Sequence, residues 1–403
     1  MSKAADKPIK FLLIMNYLEN KYDFRFNTVS IDLEYKPKQE TDWKTLNPAD
    51  LEVELLREGF TGFDKQLAAL LKSSFVPRFD PILEYFESLP PWDNKTDYIG
   101  ILANYVRTTD QEFYLRQFKK MLVRMVAQGL NAIAFNKHCF TFYSNQNDGK
   151  TYFFENLLQG TGLAEYSKKN IEFEGKDSKR SLAENFMINL DELAGLSKQD
   201  VNRAKAFFSE SQIKLRLPYD KKDSIMSRRA SFVGSTNQRE FLVDETGNVR
   251  WIVFEVLSIN HDNGGPNGYR AVDINKVWAQ AYFLFQNDYP VQLDKDEIAH
   301  SENNNARYGR DSVEYQMLLQ YFTPVAKEQG GTFYQPYKLV ERLTQLASNT
   351  VRLTSENMGR ALKKMGVEKA QTRIGQLPVW GYYLSENLLN VADQPVGTPD
   401  NPF

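Results

Sequence analysis

Cysteine occurs once in the 403 residues, at Cys139, and histidine three times, at His138, His261 and His300. A single thiol excludes a disulfide within the chain and a thiolate zinc cluster. Three scattered imidazoles exclude a histidine-rich metal site, so any metal here takes oxygen ligands. No run approaches the roughly 18 apolar residues that span a bilayer. The opening MSKAADKPIK leads into the helix-like FLLIMNYLENKYDF without a small-residue cleavage site, so a cytoplasmic protein with no membrane partner is expected. Neither sign of charge is in surplus: 50 Lys+Arg against 52 Asp+Glu leave −2, so a nucleic-acid partner would have to be met by a local basic surface. What is present, 42% apolar, 13% aromatic and 25% charged residues, is the mix of a folded globular chain, long enough for several domains at about 100–200 residues each.

Residues 1–131 read as a mainly helical region. Helical periodicity runs over Phe11–Asn20, Phe63–Lys72, Pro81–Glu87, Ile99–Arg107 and Glu112–Gln128, with two short alternating strands at Asp23–Phe26 and Val29–Tyr35. Asn47-Pro48 opens a further helix that Gly59 closes. From His138 the texture changes to short apolar runs interleaved with helical stretches, which predicts an α/β core with a mostly parallel sheet over 132–325. In 326–390 the order helix, helix, hairpin predicts a winged-helix-like module. The Pro, Gly and Asp-rich tail 391–403 is expected to fray.

One constellation carries chemistry. The strand HCFTFYS enters Ser144-Asn145-Gln146-Asn147-Asp148-Gly149-Lys150-Thr151, and a helix follows. A phosphate-binding loop needs backbone N–H groups turned toward phosphate oxygens, a lysine for the charge of the outer phosphates and a hydroxyl for Mg²⁺. Gly149, Lys150 and Thr151 supply these in order. Ser144 stands where the pattern has its first glycine; Asn147 is among the few residues that tolerate positive φ. The next apolar strand, MINL, ends in Asp191 and Glu192, placed to hold Mg²⁺ and to polarise a water; an N-cap would equally explain the aspartate. SFVGST ends at Asn237, suited to sensing a terminal phosphate or to making a turn. Two strand-like halves flank a turn holding Pro218, Asp220, Lys221, Lys222 and Asp223, whose cations suit phosphate contacts or a solvated tip. Arg250, before the strand WIVFEV, is placed to reach a neighbouring subunit's nucleotide or simply to face solvent.

In this order the residues resemble the superfamily three helicases of the AAA+ class, and in detail the virulence-associated protein E family of phage, plasmid and mobile-element replication proteins. The resemblance rests on Leu89-Pro90-Pro91-Trp92-Asp93, Leu215-Arg216-Leu217-Pro218-Tyr219, Gly234-Ser235-Thr236-Asn237, Thr246-Gly247-Asn248-Val249-Arg250-Trp251 and the Arg25-x-Asn27 segment, spread over about residues 20–320. It implies an AAA+ ATPase core in a homo-oligomeric ring, a hexamer, that uses ATP and Mg²⁺ to translocate on single-stranded or forked DNA, alone or beside a separate primase. It further implies that Lys150 and Thr151 bind phosphate and Mg²⁺, that Asp191 holds the metal and that Glu192 activates water. Asn237 would sense, Arg250 would act in trans, and Arg216, Lys221 and Lys222 would contact the DNA backbone. The family carries glycine at 144 and 147 and two arginines at 249–250, so glycine at 144 is expected to tighten nucleotide binding. Two other readings stay open: an origin-binding or regulatory assembly that binds nucleotide with weak or no hydrolysis, and a protein-remodelling AAA+ ATPase of a mobile-element or defence system.

Overall fold

A computed structural model describes residues 10–191, 193, 198–215, 224–242, 248–261, 268–309, 311–346, 351–375 and 377–387. Glu192, Arg216, Lys221, Lys222 and the tail 391–403 lie outside the described residues. By its contacts the chain divides into two compact units, Met1–Asn305 and Ala306–Phe403.

The first unit opens with α1 (Lys10–Lys21), β1 (Tyr22–Asn27), β2 (Leu33–Pro37), β3 (Lys44–Thr45), α2 (Pro48–Arg57), α3 (Asp64–Leu71), β4 (Arg78–Phe79) and α4 (Pro81–Ser88). Asn47 caps α2 by accepting from Ala49 N, and Asp80 caps α4 by accepting from Ile82 N and Leu83 N, each with proline at the first helical position. The strands form a sheet in the order β3-β2-β1-β4 over an apolar cluster that includes Leu18, Phe24, Leu55 and Leu67. The second strand starts later than Val29. Asn27 Oδ1 accepts from Val29 N and Ser30 N, both at 3.0 Å, and this Asx turn uses residues 28–30 before the strand begins.

Asp93 of the Leu89–Asp93 motif accepts from Lys95 N and Thr96 N, both at 2.9 Å, and from Thr96 Oγ1 at 2.7 Å. These donors hold its carboxyl down at about 2. Trp92 Nε1 donates to Thr96 O at 2.8 Å, so the motif is a pinned turn leading to α5 (Tyr98–Ala103). The expected helix Ile99–Arg107 ends early, because Asn104 turns back to Gly100 O and the buried Val106 and Thr108 pair instead as β5 (Val106–Thr108). The long helix α6 (Gln111–Gly129) follows.

Next come β6 (Cys139–Tyr143), α7 (Lys150–Asn156), β7 (Ser167–Lys169), α8 (Lys176–Glu184), β8 (Met187–Leu190), α9 (Lys198–Phe208), β9 (Gln212–Leu215), β10 (Ser224–Ser227), β11 (Ser231–Thr236) and β12 (Trp251–Ile259). Six strands form one sheet in the order β5-β12-β6-β11-β8-β7, every pair parallel except β5 with β12. The expected α/β core with a mostly parallel sheet is therefore present. β11 lies between β6 and β8, with Thr236 opposite Tyr143 and Gly234 opposite Leu190, so the carboxyl ends of the loop strand and the acidic strand stay close. Phe140 and Phe142 carry the core between α6 and α7; Phe142 stacks on Phe154 at 4.6 Å.

α10 (Ile274–Gln286) closes one side, its buried Trp278 donating to Leu157 O at 2.6 Å, and α11 (Lys295–Asn305) is tied to α6 by a buried ion pair. Lys120 Nζ lies 2.7 Å from Glu297 Oε2, and Gln117 Nε2 donates to Glu297 Oε1 at 2.8 Å. β9 and β10 form the expected hairpin. Its base is fixed by Arg228, fully buried with no carboxylate in hydrogen-bond reach among the described residues, which donates to Phe208 O, Asn136 O and Ala230 O at 2.6, 2.7 and 2.9 Å. Burial pulls its guanidinium down to about 9.

The second unit holds α12 (Val313–Tyr321), β13 (Phe322–Pro324), β14 (Thr332–Tyr334), α13 (Pro336–Leu346), α14 (Ser355–Lys364), β15 (Ala370–Ile374) and β16 (Leu377–Glu386). β15 and β16 make a hairpin, and Leu318, Leu339, Leu343, Leu362 and Leu384 form the core. This is the winged-helix order expected. Among the described residues no helix is long and apolar enough to cross a membrane.

The Lys120–Glu297 pair yields a stability prediction. Glu297→Ala leaves a buried ammonium without its carboxylate and should cost about 3–5 kcal/mol, and adding Lys120→Met should recover most of that loss. Chemical denaturation measures both; a cost below about 1 kcal/mol for the single variant would contradict the burial argument.

Candidate phosphate-binding site

The loop 144–149 joins β6 to α7 and turns on two residues in the left-handed region, Asn147 at φ 69° and Gly149 at φ 77°. The expectation that asparagine supplies a positive φ at 147 matches this backbone. Gly149 is needed twice over. A Cβ there would be strained, and it would meet Cε1 and Nε2 of His261 at 2.1 and 2.2 Å.

Ser144 departs from expectation. It is buried and is not among the positive-φ residues, so no Cβ strain is present for a glycine to relieve. Its side chain instead faces the lysine: Lys150 Nζ donates to Ser144 O and Ser144 Oγ, both at 3.1 Å, and to Asn145 O at 2.7 Å. Burial lowers the Lys150 pKa, and Asp148 and Asp191 oppose that shift. The cation is thus held inside the loop by neutral oxygens, which a phosphate oxygen, carrying charge, would outcompete.

At the start of α7, Thr151 Oγ1 donates to Asp191 Oδ1 at 3.0 Å. Ser235 Oγ, from the buried end of β11, donates to the same oxygen at 2.5 Å and lies 3.3 Å from Thr151 Oγ1. Asp191 N donates to Asn170 Oδ1 at 2.8 Å, which fixes the carboxylate's backbone. Two hydroxyls and a carboxylate converging from three elements make a hard-oxygen donor set of the kind Mg²⁺ takes, so the residues fit that ion, and Thr151 and Asp191 are the ones that could hold it.

The register places the remaining candidates. Ser144 N donates to Thr236 O at 3.3 Å, so the exposed Asn237 leaves β11 beside the point where the loop leaves β6. Arg250 lies at the other end. Trp251 pairs with Cys139 at the start of β6, so the four strand steps from Cys139 to Tyr143, roughly 13 Å, lie between the end of the sheet that Arg250 precedes and the loop. There its Nε and Nη2 donate to Ser209 Oγ at 3.3 and 3.2 Å. The structure brings Ser144, Lys150, Thr151, Asp191 and Asn237 to one edge of the sheet and leaves Arg250 at the opposite edge. Two neighbours have no role assigned from sequence: Ser235, part of the Gly234–Asn237 motif and a hydroxyl inside an apolar strand, and His261, which has no local signal.

The family model of the virulence-associated protein E-like domain matches residues 86–309, more than half of the chain. The chain belongs to this family. Among solved structures, the apo C-terminal region of NrS-1 (305–718) is 12% identical over 94% of this chain and 100% of its own, at a TM-score of 0.51. A second structure of that region, described as the A form, is 13% identical over 94% and 100% at 0.49. A structure titled SCCmec type IV Cch, active helicase, is 9% identical over 91% and 93% at 0.39. At such identities only the NrS-1 likeness above 0.5 bears on this chain, and it shows the fold alone. No curated protein matches the sequence.

The backbone at Gly149 can be tested directly. Gly149→Ala should destabilise the first unit by about 1–2 kcal/mol from left-handed strain alone, and by more with His261 displaced. Combining it with His261→Ala should recover the steric part. Thermal melting of the two single variants and the pair measures this; strict additivity would contradict the contact.

Proposed function

We propose that this protein is an ATP-hydrolysing DNA helicase of the superfamily three type, assembled as a homo-oligomeric ring, in which 132–325 form the AAA+ core, 1–131 a collar and 326–390 the winged-helix-like module. The observation that carries the reading is the convergence of Thr151, Ser235 and Asp191 beside a lysine-bearing loop. Carboxylate, hydroxyl and ammonium lie at one sheet edge, where a nucleoside triphosphate would meet them.

In this reading Lys150 exchanges the oxygens of Ser144 and Asn145 for the outer phosphates of ATP. Thr151 and Asp191 hold Mg²⁺, which when bound neutralises phosphate charge. Glu192 takes the proton of the attacking water, Asn237 orients that water, and the leaving group is ADP. Arg250, at the far edge of the sheet, serves the site of an adjacent subunit. DNA binding is supported by the second unit, where six Lys and Arg face three Glu between Arg352 and Glu386 in a chain of net charge −2. Trp380 is 51% exposed on the wing there, with Lys369 Nζ 5.3 Å above its ring. Arg216, Lys221 and Lys222 on the β9–β10 turn are the proposed pore contacts.

The test is turnover on forked DNA. Wild type should hydrolyse ATP faster with DNA and displace a strand, whereas Lys150→Ala and Arg250→Ala alone should each lose at least about a hundredfold in turnover, arginines of this role being worth about 10³–10⁵. Mixing the two inactive variants should restore part of the activity, because neighbouring subunits then pair an intact loop with an intact arginine. Binding of ATP without turnover would favour a regulatory assembly. DNA-independent turnover without unwinding would favour a protein-remodelling ATPase.

A further inference from the structure

His261 emerges from the carboxyl end of β12 and lies across the phosphate loop. Its ring covers Gly149 so closely that any Cβ there would overlap it, and its Nε2 lies 3.2 Å from Asp148 O. The far side of the ring meets Tyr269 edge-on at 5.1 Å, and Tyr269 in turn meets Phe153 of α7 at 5.2 Å. The imidazole is therefore wedged between the loop and an aromatic pair.

A carbonyl oxygen only accepts, so the nitrogen facing Asp148 O carries the proton. In a trans peptide the C=O and N–H point in opposite directions. With Asp148 O turned to the ring, Gly149 N–H is turned away from it, toward the face of the loop that His261 leaves open. Glycine at φ 77° tolerates the peptide in either orientation, and the flipped one would present a carbonyl oxygen to an incoming anion. We infer that His261 is a positioning residue which latches the Asp148–Gly149 peptide in the orientation that offers an amide to a phosphate group.

This inference rests on the nucleotide-binding reading above and deepens it. One net hydrogen bond biases the two peptide orientations by about three- to tenfold, and apparent affinity falls by that full factor where the unlatched peptide favours the carbonyl-forward orientation, the condition under which a latch is needed. The latch acts on phosphate recognition and not on the nucleoside, so it should affect inorganic tripolyphosphate and ATP alike.

The test compares wild type, His261→Gln, which keeps a donor near the Nε2 position, and His261→Phe, which fills the space without one. Full-length proteins are titrated with MgATP and, separately, with inorganic tripolyphosphate. His261→Phe should weaken both by the same factor of about three to ten, while His261→Gln stays within about twofold of wild type. Should His261→Phe melt early, His261→Ala is read in its place against the same Gln control. Wild-type affinity in the donorless variant, or a loss confined to ATP, would overturn the latch while leaving the phosphate-loop reading intact. Failure of wild type to bind either probe would overturn that reading and the latch with it.

Discussion

Thr151 Oγ1 and Asp191 Oδ1 meet at 3.0 Å although 40 residues separate them in the chain. For that contact to form, α7 must begin directly after the loop, β8 must end level with it, and β11 must run between β6 and β8 in parallel register. Each condition is met by packing. Phe153 and Phe154 press α7 onto the sheet against Phe140 and Phe142, the buried residues of β8 hold the acidic strand, and Trp278 anchors the end of α7 from α10. The polar cluster is thus a few oxygens supported on an aromatic layer that leaves little freedom to slide.

The parallel sheet also separates two kinds of chemistry. At the carboxyl edge sit the loop, Asp191 and Asn237. At the amino edge sit Arg250 and the base of the β9–β10 hairpin, where Arg228 ties α9, the segment before β6 and the start of β11 together through carbonyl oxygens. An arginine whose charge is satisfied by main-chain carbonyls is a positional device, because each bond fixes a different piece of backbone. In the proposed ring this would let one edge of each subunit hold nucleotide while the other addresses its neighbour and DNA.

Much of this was legible in the sequence wherever a local rule decides the outcome. The Gly149-Lys150-Thr151 run, the positive φ of Asn147, the hairpin strands and the winged-helix order all follow from short-range chemistry. The misreadings share a cause: they turn on which partner a residue meets. Val29 joins an Asx turn because Asn27 reaches forward, and Val106 leaves helix for strand because β12 offers an edge. Ser144 looked like a substituted glycine, but its hydroxyl faces Lys150. His261 is invisible from its neighbours, since its significance lies in Gly149, which the chain brings to it only when β6 and β12 pair.

The central claim is that Thr151 and Asp191 hold a metal ion beside a bound triphosphate. Calorimetric titration of ATP with and without Mg²⁺, on wild type and Asp191→Asn, tests it most directly. The account predicts that Mg²⁺ tightens wild-type binding by about tenfold or more and that Asp191→Asn, with one donor made neutral, loses most of this increment while keeping its metal-free affinity. An unchanged Mg²⁺ increment in Asp191→Asn would contradict it.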